Sequence, residues 1–349
     1  MNKNKVNIYA IAKEANVSPA TVSRVLTNSA RVSSEKKKRV QEAIDKYGFK
    51  PNVIARRLSG TASKVIGIIV ADISNPFYSS LFIECEKAAY EKGYTVLLCD
   101  TFGKSDLEEN HLENLREQKV DAIILIGGRV DELVVDEKYI KYINDLSEDI
   151  PIITSGHLEG SSCYQVNINE YQACQLIMEY LINLGHKDIA LIGGRESVRS
   201  TYEKRQCYME WLKKYEIDFY PNWMIEGEYY NIESGYDCMN KLFESNSKLP
   251  SAIIAINDFT AVGIMKSIIE HGLSIPEDIS IASFDNTYVS EITIPNLTTI
   301  GYDYKKFGET LIDVSIKAIK KIKIDRINLM DSKILIRDSC KEFNIRQYM

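Results

Sequence analysis

Two groups of residues have the types and spacing to do chemistry. Ser18, Thr21, Ser23 and Arg24 gather three hydroxyls and a guanidinium in one short stretch, a set able to reach phosphate oxygens and base edges. Asn257, Asp258 and Asp285 form the other group, each following an apolar, strand-like run ("IIAI" and "IASF"). A carboxylate and an amide can each engage two adjacent hydroxyls, the pattern a sugar presents. Taken singly, such residues cap helices or turns. Their joint placement at two strand ends points to a binding site.

Catalytic chemistry finds little support. There is no G-x-G-x-x-G, and Gly103-Lys104-Ser105 has Leu98 where a phosphate loop needs its upstream glycine. No histidine pair has metal spacing, and no G-x-S-x-G elbow occurs. The 7 cysteines include no C-x-x-C pair, so reduced, mostly buried thiols are expected, with neither a disulfide frame nor a zinc site. Neither a cofactor nor a metal nor enzymatic activity is expected.

The elements that must carry these groups follow from charge and periodicity. Residues 1–60 hold 13 Lys/Arg against 4 Asp/Glu, while the other 289 hold 30 against 45. A basic segment on an acidic body suggests an anion-binding module, nucleic acid above all. Ile8, Ile11, Ala12 and Ala15 recur at helical spacing, and Asn16-Val17 breaks the pattern. Ser18 followed by Pro19 is a helix start, with Val22, Val25 and Leu26 facing inward. A third helix begins near Ser33, turns Val40, Ala43, Ile44 and Tyr47 inward, and stops at Gly48. Two short helices on a tight turn, braced by a third, make a helix-turn-helix.

From Lys64 onward, strand-like segments (65–71, 95–100, 122–126, 152–154, 188–192, 252–256, 279–284) alternate with amphipathic ones (78–92, 106–118, 171–184, 203–215, 259–271). Such alternation implies parallel sheets covered on both faces. "DAIILIGGR" at 121–129 and "DIALIGGR" at 188–195 are near copies, as two similar lobes with strand ends facing a shared cleft would give. No apolar run is long enough to span a bilayer and no secretory signal is evident, so a cytoplasmic protein is expected.

The stretch "IYAIAKEANVSPATVSRVLTNSARVSSEKKKRVQEAIDKYGFKPNVIARRLSG" closely resembles the headpiece of the lactose/galactose-repressor (LacI/GalR) family, nearly without gaps. The resemblance implies that the helix beginning at Ser18 lies in the major groove, with Pro19 and Ala20 where the family reads operator bases. Neither can donate a bidentate hydrogen bond, so readout would lean on apolar contact and on Thr21, Ser23 and Arg24. Residues 52–60 would be the hinge helix, too short to be stable alone. There Asn52, Ala55 and Arg56 would meet DNA, and Leu58 would wedge between base pairs in the minor groove.

The resemblance also implies the architecture: an all-α headpiece (1–51), a hinge (52–63) and an α/β core (64–349) built like a periplasmic sugar-binding protein. The first lobe would span about 64–162 and 295–327, the second about 163–294 and 328–349. Effector contacts carried over by position are Asp72 and Phe77 in "SNPFY", Asn257, Asp258, Asp285, and Tyr229 or its neighbour Tyr230. In place of the family's R-x-x-G-aromatic stands "KRQCY", so either Lys204 or Arg205 enters the cleft. His157 stands where the family often has a charged residue, as a cleft group or a plain surface histidine. The whole implies a homodimeric repressor on a pseudo-palindromic operator in double-stranded DNA, controlled by a small effector, a sugar by first expectation. A purine or nucleoside corepressor, a protein partner, or sugar binding without a DNA role are the alternatives. The absence of leucine heptads after Ile334 gives no sign of the family's tetramer bundle.

Overall fold

A computed structural model describes residues 7–26, 32–49, 63–245 and 248–343. The hinge contacts expected at Asn52, Ala55, Arg56 and Leu58 lie outside these residues. The chain divides into two compact units, Met1–Lys64 and Val65–Met349.

The first unit holds α1 (Ile8–Glu14), α2 (Pro19–Leu26) and α3 (Ser34–Tyr47). Asn7 caps α1 by accepting the Ala10 N–H at 3.0 Å. The helix ends on Asn16 in the left-handed region (φ 52°). The Val17 N–H returns to the Ala12 carbonyl at 3.0 Å and the Asn16 N–H to Lys13 at 3.3 Å, satisfying two otherwise unpaired carbonyls. Gly48 closes α3 the same way, with Phe49 donating to Ile44 at 3.0 Å. Pro19 opens α2 where no intrahelical donor is needed. Ile11, Ala12, Ala15, Val22, Val40 and Ala43 make the small core. Tyr47, expected inward, is 41% exposed. Its hydroxyl needs a polar partner the apolar face lacks, and it donates to Glu14 at 2.9 Å beside Lys46.

The second unit is two six-stranded sheets. β1 (Val65–Val70), β2 (Thr95–Asp100), β3 (Ala122–Ile126), β4 (Ile152–Ser155) and β5 (Tyr164–Ile168) alternate with helices α4 (Pro76–Glu91), α5 (Ser105–Glu117) and α6 (Glu137–Asp149). The second lobe follows with α7 (Glu170–Asn183), β6 (Ile189–Ile192), α8 (Arg199–Lys214), β7 (Met224–Ile225), α9 (Ile232–Glu244) and β8 (Ala252–Ala255). It continues with α10 (Asp258–Glu270), β9 (Ser280–Asp285), α11 (Val289–Ile292) and β10 (Thr298–Tyr302); then come α12 (Tyr304–Ile319), β11 (Ile327–Met330) and β12 (Ser332–Leu335). Sheet orders are β11-β5-β4-β3-β1-β2 and β12-β10-β9-β8-β6-β7. All pairings are parallel except β12 on β10. β1, β3, β6 and β8 are buried throughout, as strands covered on both faces must be.

Pairing moves the expected lobe limits near 163, 295 and 328. β5 pairs with β4 and β11 in the first sheet, and β10 pairs with β9 in the second. The chain therefore crosses after β5, after β10 and after β11. In the second lobe α9 and α10 touch backbone to backbone through Gly235 and Gly263; a Cβ at either would overlap the carbonyl of Thr260 or Ile232. All 7 cysteines are free.

Candidate functional site

Between the lobes, where strand C-terminal ends meet, lies a cavity of about 620 Å³. From the first lobe it is lined by Asp72, Phe77 and Tyr78 after β1, by Gly127 to Arg129 and Asp131 after β3, and by His157 after β4. From the second come Arg195 and Ser200 after β6, Tyr229 and Tyr230 after β7, Asn257 after β8 and Asp285 after β9. The two "IGGR" echoes thus end at the same cavity from opposite sides.

The positions read from the sequence separate into groups that face the cavity and groups that support it. Asp285 faces it on backbone held in the left-handed region (φ 99°), a conformation costing a non-glycine residue about 1–3 kcal/mol. Its carboxylate accepts no hydrogen bond from a described residue, and burial pushes its pKa well up, with Asp258 adding to the effect. Asn257 lines the cavity but spends its side chain on the fold. It accepts the Thr260 N–H at 2.7 Å, capping α10, and donates to the Tyr230 carbonyl at 3.1 Å. Asp258 does not line the cavity. Its two oxygens accept Ser283 Oγ at 2.6 Å, Thr299 Oγ1 at 2.9 Å, Thr287 N at 2.7 Å and Thr287 Oγ1 at 2.9 Å. It ties α10 to the end of β9 and to β10, so at this position the capping role prevails. Burial raises its pKa and the four donors work against that rise.

Of the two cations in "KRQCY", Lys204 lines the cavity and Arg205 does not. Lys204 Nζ meets Glu170 at 2.5 Å and lies 4.8 Å from the Phe284 ring centroid. Burial disfavours its charge, but Glu170 and the more distant Asp285 and Asp131 outweigh that and raise its pKa. Arg205 points into the second lobe, donating to the Gly194 carbonyl at 3.3 Å. Helical geometry is the reason: adjacent positions diverge by about 100°. Tyr229 is 59% exposed. The enclosed ring is Tyr230, whose hydroxyl lies 2.8 Å from Thr201 Oγ1 and accepts the Arg195 N–H at 3.3 Å. Phe77 lines the cavity from within an aromatic cluster, with ring centroids 5.3 Å from Tyr78 and 6.3 Å from Tyr302. Asp72 accepts Ser74 N and Oγ at 2.9 and 2.6 Å, shaping its turn.

Sequence reasoning missed Glu170, Asp131, Ser200 and Glu203, all in the lining. Ser200 Oγ donates to Asp131 Oδ2 at 2.6 Å across the cleft. Beside this bond the Leu133 N–H reaches the Ser197 carbonyl at 2.7 Å, Glu132 bridges Val198 in antiparallel fashion, and Arg199 donates to the Leu133 carbonyl at 3.4 Å. Residues 131–133 and 197–200 therefore clasp the lobes together. Burial pushes Asp131 up to about 7, and burial with Glu170 nearby raises Glu203. The α2 face keeps Ser18, Ala20 and Arg24 exposed, with Pro19, Thr21 and Ser23 half-buried. Ser18 Oγ accepts the Thr21 N–H at 3.2 Å and sits 3.0 Å from Thr21 Oγ1, so both hydroxyls also serve the cap.

A helix-turn-helix unit in one chain with a two-lobed, cleft-bearing α/β unit defines a class: DNA-binding regulators that sense a small molecule. Residues 63–337 match the family described as periplasmic binding proteins and sugar binding domain of LacI family, and residues 7–52 match bacterial regulatory proteins, lacI family. The chain belongs to the LacI family. It is 30% identical over 339 residues to the HTH-type transcriptional repressor PurR of Histophilus somni, covering 96% of this chain and 98% of that protein. To catabolite control protein A of Priestia megaterium it is 31% identical over 340 residues, covering 96% and 99%. The lac repressor dimer bound to operator and the anti-inducer ONPF superposes with a TM-score of 0.83 at 25% identity, covering 97% of this chain and 100% of that one.

Proposed function

We propose that the protein is a cytoplasmic, homodimeric transcriptional repressor, with no catalytic role, whose grip on a pseudo-palindromic operator is set by a sugar bound between the lobes. The observation that carries this is the pairing in one chain of a capped helix-turn-helix with a cavity between two lobes, lined by polar, charged and aromatic side chains. Two-fold protein symmetry would be mirrored in the half-sites. Ser18, Pro19, Ala20, Thr21, Ser23 and Arg24 would meet the major groove, and residues 52–60 the minor groove, with Leu58 as the wedge. In the cleft, Asp285, the Lys204–Glu170 pair and Tyr230 would take the sugar hydroxyls while Phe77 offers an apolar edge. Sugar complexes among similar folds agree, such as a LacI family regulator from Enterococcus faecium with bound ribose (TM-score 0.69, 24% identity). Among the described residues no helix is long and apolar enough to cross a membrane.

The test is selection of duplex DNA from a random pool by the full chain, followed by gel shifts with the selected site. Affinity should fall linearly with log salt as Lys and Arg displace counterions, and an inducing sugar should loosen the complex about 5–150-fold. A ligand that tightens it would mark a corepressor. No duplex binding at low salt would overturn the assignment.

A further inference from the structure

On the basis of the effector role argued above, we propose that the cleft ligand carries a positive charge: an amine-bearing polyol of the amino-sugar class, its ammonium received by Asp131 and the neighbouring Glu203, with Asp285 adding negative charge to the same cavity. The cavity itself marks the site; the state of its charged groups sets the ligand's charge. The cations that line it are already engaged or are exposed to solvent. Lys204 is held by Glu170 at 2.5 Å. Arg129 is held by Glu109 at 2.5 Å over the Tyr139 ring. Arg199 turns to the Leu133 carbonyl and toward Glu159 at 3.8 Å. Lys104 and Arg195 are exposed.

The carboxylates are in the opposite condition. Asp131 spends one oxygen on Ser200, while Glu203 and Asp285 accept no hydrogen bond from a described residue. Hydroxyls of an uncharged sugar could donate to them but would enclose several half-buried negative charges with Lys204 already paired to Glu170, an arrangement proteins avoid. An ammonium supplies donors and the missing charge together. A phosphate ester would meet repulsion from the same groups. No three described acidic, histidine or cysteine side chains converge as metal ligands, so an organic cation suits the spacing better than a bare ion. Burial pushes Asp131, Glu203 and Asp285 upward in pKa. Around Glu203 stand Glu170, Lys204, Arg199 and His157; around Asp131 stand Glu170, Lys204 and Glu203. With Asp131 pushed up to about 7, an ammonium bound beside it should release protons at neutral pH.

The experiment is calorimetric titration of the full chain at neutral pH with glucosamine, galactosamine and mannosamine. Each is compared with its parent hexose, its N-acetyl derivative and its 6-phosphate. At least one amino sugar should bind about tenfold or more tightly than its uncharged counterparts, with protons released in buffers of different ionisation enthalpy. Asp131→Asn and Glu203→Gln should each narrow that ratio while the circular dichroism spectrum stays unchanged. An uncharged or phosphorylated sugar binding as well as the amine overturns the proposal but leaves the repressor assignment standing if it also loosens the DNA complex. Failure of every amine to bind overturns it too, whereas failure of the DNA selection strikes the repressor assignment alone.

Discussion

Asp258→Ala separates a supporting carboxylate from a ligand-binding one. Asp258 is 1% exposed and accepts four hydrogen bonds at the N-terminus of α10. Truncation strands the buried Thr287 N–H, at about 1–3 kcal/mol, while the three hydroxyls can turn toward other acceptors. It also removes a negative charge from the first turn of α10, worth about 0.3–1 kcal/mol. The expected loss is about 3 kcal/mol of unfolding free energy. Asp258→Asn keeps one good acceptor and should lose about half of that. Urea unfolding followed by circular dichroism gives these values, and calorimetry with whichever sugar binds gives the effect on affinity. An alanine variant within about 0.5 kcal/mol of the parent, yet unable to bind ligand, would refute the assignment and put this carboxylate in the cavity.

The buried Lys204–Glu170 pair should behave asymmetrically. Lys204→Met alone strands a carboxylate and should destabilise by about 3–5 kcal/mol, while Lys204→Met with Glu170→Gln should recover most of that; a double variant no more stable than the single one would count against a direct pair. His186 sets an acid limit. Burial, opposed by its bond to the Lys341 carbonyl, lowers its pKa from 6.5 to about 4. The unfolded chain therefore binds more protons than the folded one between these values. The contribution, up to about 3 kcal/mol, is fully present above pH 6.5 and is lost as pH falls toward 4. Urea midpoints at pH 7 and 4.5 should differ less in His186→Gln than in the parent; equal slopes would assign the acid sensitivity elsewhere.

Much of the headpiece was legible because its signals are local: Ser18-Pro19 starts a helix, Gly48 ends one, and apolar spacing gives each buried face. Tyr47 escaped because periodicity sees an apolar ring and not the hydroxyl drawn to Glu14. In the core, apolar runs such as "AIILI" gave the central strands. β5 and β10 were invisible, since Gln165, Asn167, Thr298 and Thr299 dilute their hydrophobic character, and the lobe limits shifted with them. The turn residues Asp72 and Asp285 were found from strand ends. The Lys204–Glu170 pair and the Asp131–Ser200 bond join residues 34 and 69 positions apart, across helices and lobes, where no spacing rule reaches. Echoed "IGGR" segments were the nearest clue, since Asp131 follows the first by two residues and Ser200 the second by five.

The clasp of residues 131–133 on 197–200 has a consequence for rates, since it must part before the lobes can separate on that side. A solute arriving from that side meets a shut door, so the observed rate of occupation should level off at high solute concentration, at the speed with which the door swings ajar. Departure waits on the same motion. Removing the Ser200 hydroxyl, which donates to Asp131, should raise that limiting rate.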